Sequence, residues 1–274
     1  MIALMVTVEE LNVYPVKSGR RVPKSSVRVA ATGFEWDRYW MITDASGSFL
    51  SQRTHPRLAW IQPEIRDDRL TLSAPGLAPL TLNLHSPGES IEVQVWKDRC
   101  TGLDQGEIAS AWASELLSQP VRVVRALDVP HRMANPQFAG PTPKPVSFSD
   151  GFPILVCNRA SLEYLNTRMP QPVPMERFRP NIVLQGLEPF AEDRISELQI
   201  GGVTLRLVKP CTRCVITSTD QQTGERSTNP LPVLREFRFD RSLLGVTFGE
   251  NAIPVDGVGS LIERGADCVV TYDA

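Results

Sequence analysis

Long apolar runs are missing from this chain. No segment approaches the roughly 18 consecutive apolar residues that a membrane span requires, so no membrane association is expected. An excess of charge of either sign is missing too. Twenty-nine Lys and Arg residues stand against 31 Asp and Glu, a formal charge of −2. That balance leaves no general basic surface for nucleic acid, although local clusters are compatible with it. Histidine is scarce: His55, His85 and His131 lie apart from one another and from the cysteines, which argues against a histidine-rich metal site. The five cysteines (Cys100, Cys157, Cys211, Cys214 and Cys268) are an odd, scattered set and make a poor disulfide framework. Met1 to Glu10 carries no basic n-region and its apolar residues run straight into two glutamates. It reads as a first strand rather than a leader, and a cytoplasmic location is expected.

What is present is a globular composition, 42% hydrophobic and 22% charged over 274 residues, enough for two modest domains. Short, often alternating runs bounded by Gly, Pro, Asp or Ser predict strands at Val27–Ala30, Tyr39–Thr43, Leu58–Ile61, Leu70–Ser73, Leu80–Leu84 and Ile91–Trp96. Such spacing suggests a barrel or sandwich. A helix is predicted over Gly106–Ser118, with Ile108, Trp112 and Leu116 as one buried stripe and Pro120 marking its end. Val121–Ala126 reads as a strand, and the proline-rich stretch Pro130–Pro145 as a linker or long ordered loop. Strand Ile154–Cys157 follows, then a short helix with Leu162, Leu165 and Met169 on one face, and a second proline-rich loop over Pro170–Pro174. Strands resume at Ile182–Leu184, Leu198–Ile200 and Val203–Val208, the last two joined at Gly201-Gly202, a hairpin turn signal. The chain is mainly β with a few helices, in two β-rich domains, 1–120 and 121–274.

The densest chemical signal is Lys209-Pro-Cys-Thr-Arg-Cys-Val-Ile-Thr217. Zinc normally needs a second cysteine or histidine pair, and none exists. A thioredoxin-like dithiol wants its first cysteine at a helix N-terminus, whereas Val215-Ile216-Thr217 favours a strand. Two small buried hydrophobes are the plain alternative. Against that, Lys209 and Arg213 would stabilise a thiolate, which soft metals prefer. Elsewhere Pro15-Val-Lys-Ser18, Asp37-Arg38 and Arg177-Phe-Arg-Pro-Asn181 place polar groups at element ends. Each alone is weak, because most Lys and Arg residues simply solvate a surface; converging, they would make an anion pocket.

The chain resembles the MOSC family (molybdenum cofactor sulfurase C-terminal domain) with its usual N-terminal β-barrel domain, in the branch of the mitochondrial amidoxime-reducing component and its bacterial relatives. The resemblance rests on ordered blocks along nearly the whole chain: Tyr14-Pro-Val-Lys-Ser18, Asp37-Arg-Tyr-Trp40, Gln52-Arg53 with Pro56-Arg-Leu58, Ser149-Asp150, Phe178-Arg-Pro-Asn181, Ala191-Glu-Asp193, and Cys211-Thr-Arg-Cys214 continuing to Asp220 and Thr223-Gly224. It implies an N-terminal β-barrel-like domain and a C-terminal MOSC β-barrel that interleave. It also implies a molybdenum cofactor (Mo-molybdopterin) with Cys214 as the catalytic metal ligand. Lys17, Ser18, Arg38, Arg179, Asn181, Thr212 and Arg213 match positions that hold the pterin and its phosphate, and Ser149 and Asp150 lie in a loop that approaches it. Lys17, Arg38, Arg179 and Arg213 should therefore meet in one pocket. Gly19 stands where many relatives have cysteine, so that thiol is not essential here. Neither the membrane anchor of the mitochondrial members nor the ferredoxin-like extension of some bacterial ones is expected.

The function so implied is a molybdenum-dependent oxidoreductase that reduces N-hydroxylated or N-oxygenated small molecules. Its electrons would come from a separate electron-transfer protein or reductase, docked near loop Gln221–Arg226. No Gly-x-Gly-x-x-Gly dinucleotide turn and no iron–sulfur cysteine spacing is present. The other class the resemblance carries is a cofactor carrier or sulfur-transfer module, in which Cys214 holds a persulfide and works with a cysteine desulfurase. Lys17 lacks the aminotransferase-like context of a Schiff-base lysine, so pyridoxal phosphate is not expected.

Overall fold

The computed structural model describes residues 5–273. Its largest element is a nine-stranded sheet in the order Cys268–Tyr272, Ile195–Ile200, Val203–Thr212, Gly245–Asp256, Ile154–Asn158, Ile182–Gln185, Thr7–Val13 and Val22–Lys24, with Phe239–Asp240 paired onto Gly245–Asp256. Ile154–Asn158 and Ile182–Gln185 run parallel. A parallel pair needs a crossover, and helix Arg159–Asn166 lies on it, capped by the Asn158 side chain, which accepts from the Ala160 N–H at 3.1 Å. The ladder does not close into a barrel. Its ends are drawn together instead: Thr7 bridges Asp267, and the Val8 and Cys268 N–H groups donate to the carbonyls of Ala266 and Val6 at 3.0 and 2.8 Å.

The second body holds a four-stranded sheet, Trp40–Thr43, Arg122–Ala126, Asp98–Asp104 and Ser90–Val95, and a three-stranded one, Gln62–Arg66, Arg69–Ser73 and Leu80–Asn83. Helix Gly106–Leu117 packs with them around Trp40, Leu58, Leu70 and Val123. Val8, Leu11 and Val13 belong instead to the core of the nine-stranded sheet, with Ile182, Leu198 and Leu205. The chain thus begins in one body, builds the other, and returns, which is the interleaving implied by the resemblance.

Three local expectations need correction. Leu58–Ile61 is not a strand: Pro56 opens a 3-10 helix, Pro56–Trp60, because its ring presets the φ of a helical first turn and its missing N–H costs nothing there. In helix Gly106–Leu117, Ile108 is 81% exposed, whereas Ala109, Trp112, Ala113 and Leu116 are buried. A spacing of four residues advances about 40° around the helix at each step, so Ile108 drifts off the face that Leu116 occupies. Finally, Val215–Ser218 forms a 3-10 turn rather than a strand. The Thr217 and Ser218 hydroxyls donate back to the carbonyls of Cys214 and Val215 at 3.0 and 2.7 Å, the local competition by which such residues favour turns. The first strand, expected within Met1–Glu10, is Thr7–Val13; Met1–Leu4 lie outside the described residues. Ile200 pairs with Val203 across the Gly201-Gly202 turn as expected. Among the described residues no helix is long and apolar enough to cross a membrane.

Candidate functional site

A cleft open to solvent takes its lining from both bodies. All ten residues singled out in the sequence line it: Lys17, Ser18, Arg38, Ser149, Asp150, Arg179, Asn181, Thr212, Arg213 and Cys214. The four expected cations, Lys17, Arg38, Arg179 and Arg213, therefore do meet. Arg53 joins them, and Asp150 is the one carboxylate among the described lining residues.

One wall is held by a buried polar frame. Ser18, Arg38 and Arg179 all sit at left-handed φ, 68°, 53° and 57°, a conformation uncommon for residues other than glycine. Such strain persists where the surroundings over-determine it, and here they do. Arg38 donates through Nη1 to Asp37 Oδ2 at 2.5 Å and Asn181 Oδ1 at 3.0 Å, and through Nη2 to the Arg179 carbonyl at 3.3 Å. Arg179 donates to the Gly19 carbonyl at 2.7 Å. Both guanidinium groups lie over the Tyr14 ring, 4.2 and 4.4 Å from its centroid. Burial pulls the Arg179 pKa down to about 10, which still leaves it charged at neutral pH. Burial also pushes the Asp37 carboxyl upward against the opposing pull of Arg38.

Asn181 is almost wholly buried, and its amide is spent inside the protein. Nδ2 donates to the Asn12 carbonyl and to Asp37 Oδ1 at 3.1 and 3.0 Å, while Oδ1 accepts from the Leu155 N–H at 3.1 Å as well as from Arg38. It is a strut that aims Arg38.

A second wall includes Ser149 and Asp150, at the end of the segment Ser147–Asp150. Lys17 Nζ donates to the Phe148 carbonyl at 2.8 Å and to Asp150 Oδ1 at 2.5 Å. Burial lowers the Lys17 pKa, with Asp150 opposing. For Asp150, whose side chain is 63% exposed, partial desolvation at the cleft raises the carboxyl, but the Lys17 ammonium and its hydrogen bond, then the Trp96 N–H, outweigh it and hold the group below the usual carboxylate range. Arg132, from the proline-rich loop, anchors this segment by donating to the carbonyls of Ser147 and Ser149 at 2.6 and 2.8 Å. The Ser149 hydroxyl is buried without a partner among the described residues.

The cysteines come from the end of strand Val203–Thr212 and the turn after it. They are not equivalent. Arg213 Nη1 donates to Cys211 Sγ at 2.9 Å and Nη2 to the Phe178 carbonyl at 2.5 Å, above the stacked rings of Phe178 and Phe248. Arg213 Nε is buried and without a partner among the described residues. Cys214 is half-buried at the cleft and its sulfur makes no hydrogen bond among the described residues.

A MOSC N-terminal β-barrel domain model matches residues 5–120 and a MOSC domain model residues 143–265. The mitochondrial amidoxime-reducing component 1 of Homo sapiens is 37% identical over 247 residues, covering 85% of this chain and 72% of its own length. The chain belongs to the MOSC family. The Mus musculus counterpart is 36% identical, with 85% and 71% covered. A molybdenum cofactor sulfurase of Danio rerio is 30% identical over 93% of this chain, which spans 34% of that longer protein.

Several residues of this MOSC cleft escaped the sequence reading as site residues. Tyr14 and Asp37 sit inside quoted blocks, but nothing local tells that they brace Arg38 and Arg179. Arg132 lies in a stretch read as a loop. Trp96 reads as the end of a strand, yet its Nε1–H donates to Asp150 Oδ1 at 3.0 Å. In the loop Gln221–Arg226, Gln221 is buried against Gln52 and Arg179, and Gln222, Thr223, Glu225 and Arg226 are exposed.

Proposed function

We propose that the cleft holds a molybdenum cofactor, with Cys214 supplying the protein's ligand to the metal, and that the protein reduces N-hydroxylated or N-oxygenated small molecules. The observation that carries this reading is convergence: five cations line a cleft against one lining carboxylate, with Asp37 behind Arg38 as the other counter-charge, and the cleft also presents a thiol with no hydrogen-bond partner among the described residues. Unbalanced cations repel unless an anion lies among them, and a phosphate suits guanidinium and ammonium donors. The donor set fits as well. No group of three or more His, Cys, Asp or Glu side chains converges among the described residues, so a metal beside Cys214 would need its other ligands from a carrier molecule. A dithiolene pterin is such a carrier, and a thiolate completes its soft ligand set. The buried, unpartnered Ser149 Oγ and Arg213 Nε are available to its polar atoms.

When bound, the group supplies a metal that accepts oxygen and passes electrons; the protein orients it and tunes its charge. Arg38, Arg179 and Lys17 hold the anionic end, with Ser18 and Thr212 as neutral donors. Asn181 acts through Arg38. Asp150 is tied to Lys17 and moderates the field of the cations. Cleavage of an N–O bond consumes two electrons and two protons and leaves water, and the electrons come from a separate protein. The amidoxime-reducing names of the relatives support this choice of substrate.

The test is metal analysis and turnover of protein made in a molybdenum-replete host. One molybdenum per chain, with viologen-driven reduction of an amidoxime, is the expected result. Labile sulfur on Cys214 without metal would replace this reading with a sulfur carrier.

A further inference from the structure

The rim of the cleft carries a feature to which the proposed function gives no role of its own. Trp96 stands at the first position of the two-residue turn between strands Ser90–Val95 and Asp98–Asp104. Its φ is 58°, in a place that favours glycine. A bulky aromatic residue there is an outlier that calls for a reason. The turn holds it in place on several sides. The indole N–H donates to Asp150, the ring meets Phe49 edge-on at 4.8 Å, and Gln94 Nε2 donates to the Trp96 carbonyl at 2.7 Å. Yet the residue remains 40% exposed.

Arg53 lies over this platform, its guanidinium carbon 4.2 Å from the indole centroid. Arg53 lines the cleft, and its guanidinium donates to no described residue, although its carbonyl is fixed by Arg226 at 2.8 Å. In contact with the same indole, Asp150 accepts Lys17 and Trp96 at Oδ1 only, leaving Oδ2 without a donor among the described residues. The mouth therefore offers a planar cation with free donors, an ionised carboxylate with a free acceptor, and an aromatic plane behind both.

We propose that Trp96 and Arg53, with Asp150, form a specificity subsite for planar conjugated substrates that carry an N–H beside the N–O group. The substrate's oxygen accepts from an Arg53 N–H and its own N–H donates to Asp150, so it meets the edge of the guanidinium that Trp96 supports from one face. Paired in-plane donor–acceptor contacts of this kind reward planarity. A saturated amine N-oxide offers neither a plane nor an N–H. This inference rests on the proposed reductase activity for its substrate, but its binding arm does not require turnover.

Trp96→Gly suits the left-handed turn and is expected to fold; Arg53→Met removes the donors and keeps the stem. With the cofactor-free protein, N-hydroxybenzamidine should shift the Trp96 indole N–H resonance in a saturable way, and trimethylamine N-oxide should not. The missing peak in Trp96→Gly assigns the signal. In the loaded enzyme, each variant should lower the ratio of kcat/KM for N-hydroxybenzamidine over the N-oxide about tenfold, chiefly through KM, a loss comparable to one or two polar contacts. Trp96→Phe, which keeps the platform, should recover part of it. An unchanged ratio in both variants, or no resonance shift with N-hydroxybenzamidine, overturns the subsite. So does a loss of molybdenum from both variants with substrate binding intact, because the stack would then belong to the cofactor. A resonance shift in a protein that reduces neither compound would uphold the subsite and sink the proposed reaction instead.

Discussion

Removing the Asn181 amide tests whether the cleft is preorganised by the protein or shaped by what it binds. In Asn181→Ala, the Asn12 carbonyl and the Leu155 N–H lose their partner, Asp37 loses one of its donors, and Arg38 loses one of its acceptors. A buried polar group left unsatisfied costs about 1–3 kcal/mol. Asp37 keeps the Tyr14 N–H at 2.8 Å and Arg38, so the backbone pair dominates, and a loss of about 4 kcal/mol is the central expectation for two such groups. For a chain of this size that lowers Tm by roughly 8–16 °C. The measurement is thermal and urea unfolding of the cofactor-free protein, with the molybdenum content of the variant made in a molybdenum-replete host as a second readout. Stability should fall as stated and cofactor retention should fall with it, since Arg38 loses part of its anchorage. A stability change under about 0.5 kcal/mol, the range of ordinary surface substitutions, combined with loss of cofactor, would refute the strut. It would mean that the amide touches the bound group directly.

Three further outcomes are expected. Cys214→Ser should abolish amidoxime reduction and change the metal's electron paramagnetic resonance signature, whereas Cys211→Ser, whose sulfur is engaged by Arg213, should reduce activity only in part; equal losses accompanied by bound zinc would point to a structural metal. The loaded protein should turn over with a viologen dye and not with NADH or NADPH alone, and direct NADPH oxidation coupled to reduction would contradict the need for a separate donor. Glu250 is buried with Oε1 unpartnered, and burial, followed by repulsion from Asp193 and Glu192, pushes its pKa up to about 9. Because the folded carboxyl holds its proton more tightly than the unfolded one, its contribution is full below the ordinary value of 4.5 and is lost as pH rises toward 9, at a limiting slope of about 1.4 kcal/mol per pH unit. Tm should therefore fall between pH 5.5 and 8.5 in the parent and fall less steeply in Glu250→Gln; parallel curves would contradict this reading.

Much of this protein was legible in its residues alone. Alternating apolar positions bounded by turn residues marked most of the strands, and Gly201-Gly202 marked its hairpin, because side-chain alternation and turn chemistry are local properties. The ordered blocks around Lys17, Arg38, Arg179 and Cys214 named the candidate site. Where the sequence misled, a short-range competitor decided the outcome. Pro56 turned an apolar run into a 3-10 helix, two hydroxyls curled the chain after Cys214, and helical phase exposed Ile108. Only the tertiary structure decided the division of labour within the site. Cys211 and Cys214 look alike in sequence, but Arg213 turns to the first and leaves the second free. Asn181 looks like a ligand-binding amide, but its groups are consumed by residues 26 to 169 positions away. Trp96 and Arg53, 43 residues apart, become one platform only because the four-stranded sheet brings its hairpin tip to the rim. Local propensity is written in neighbouring residues, whereas which polar group remains free depends on every partner that folding brings within about 3 Å.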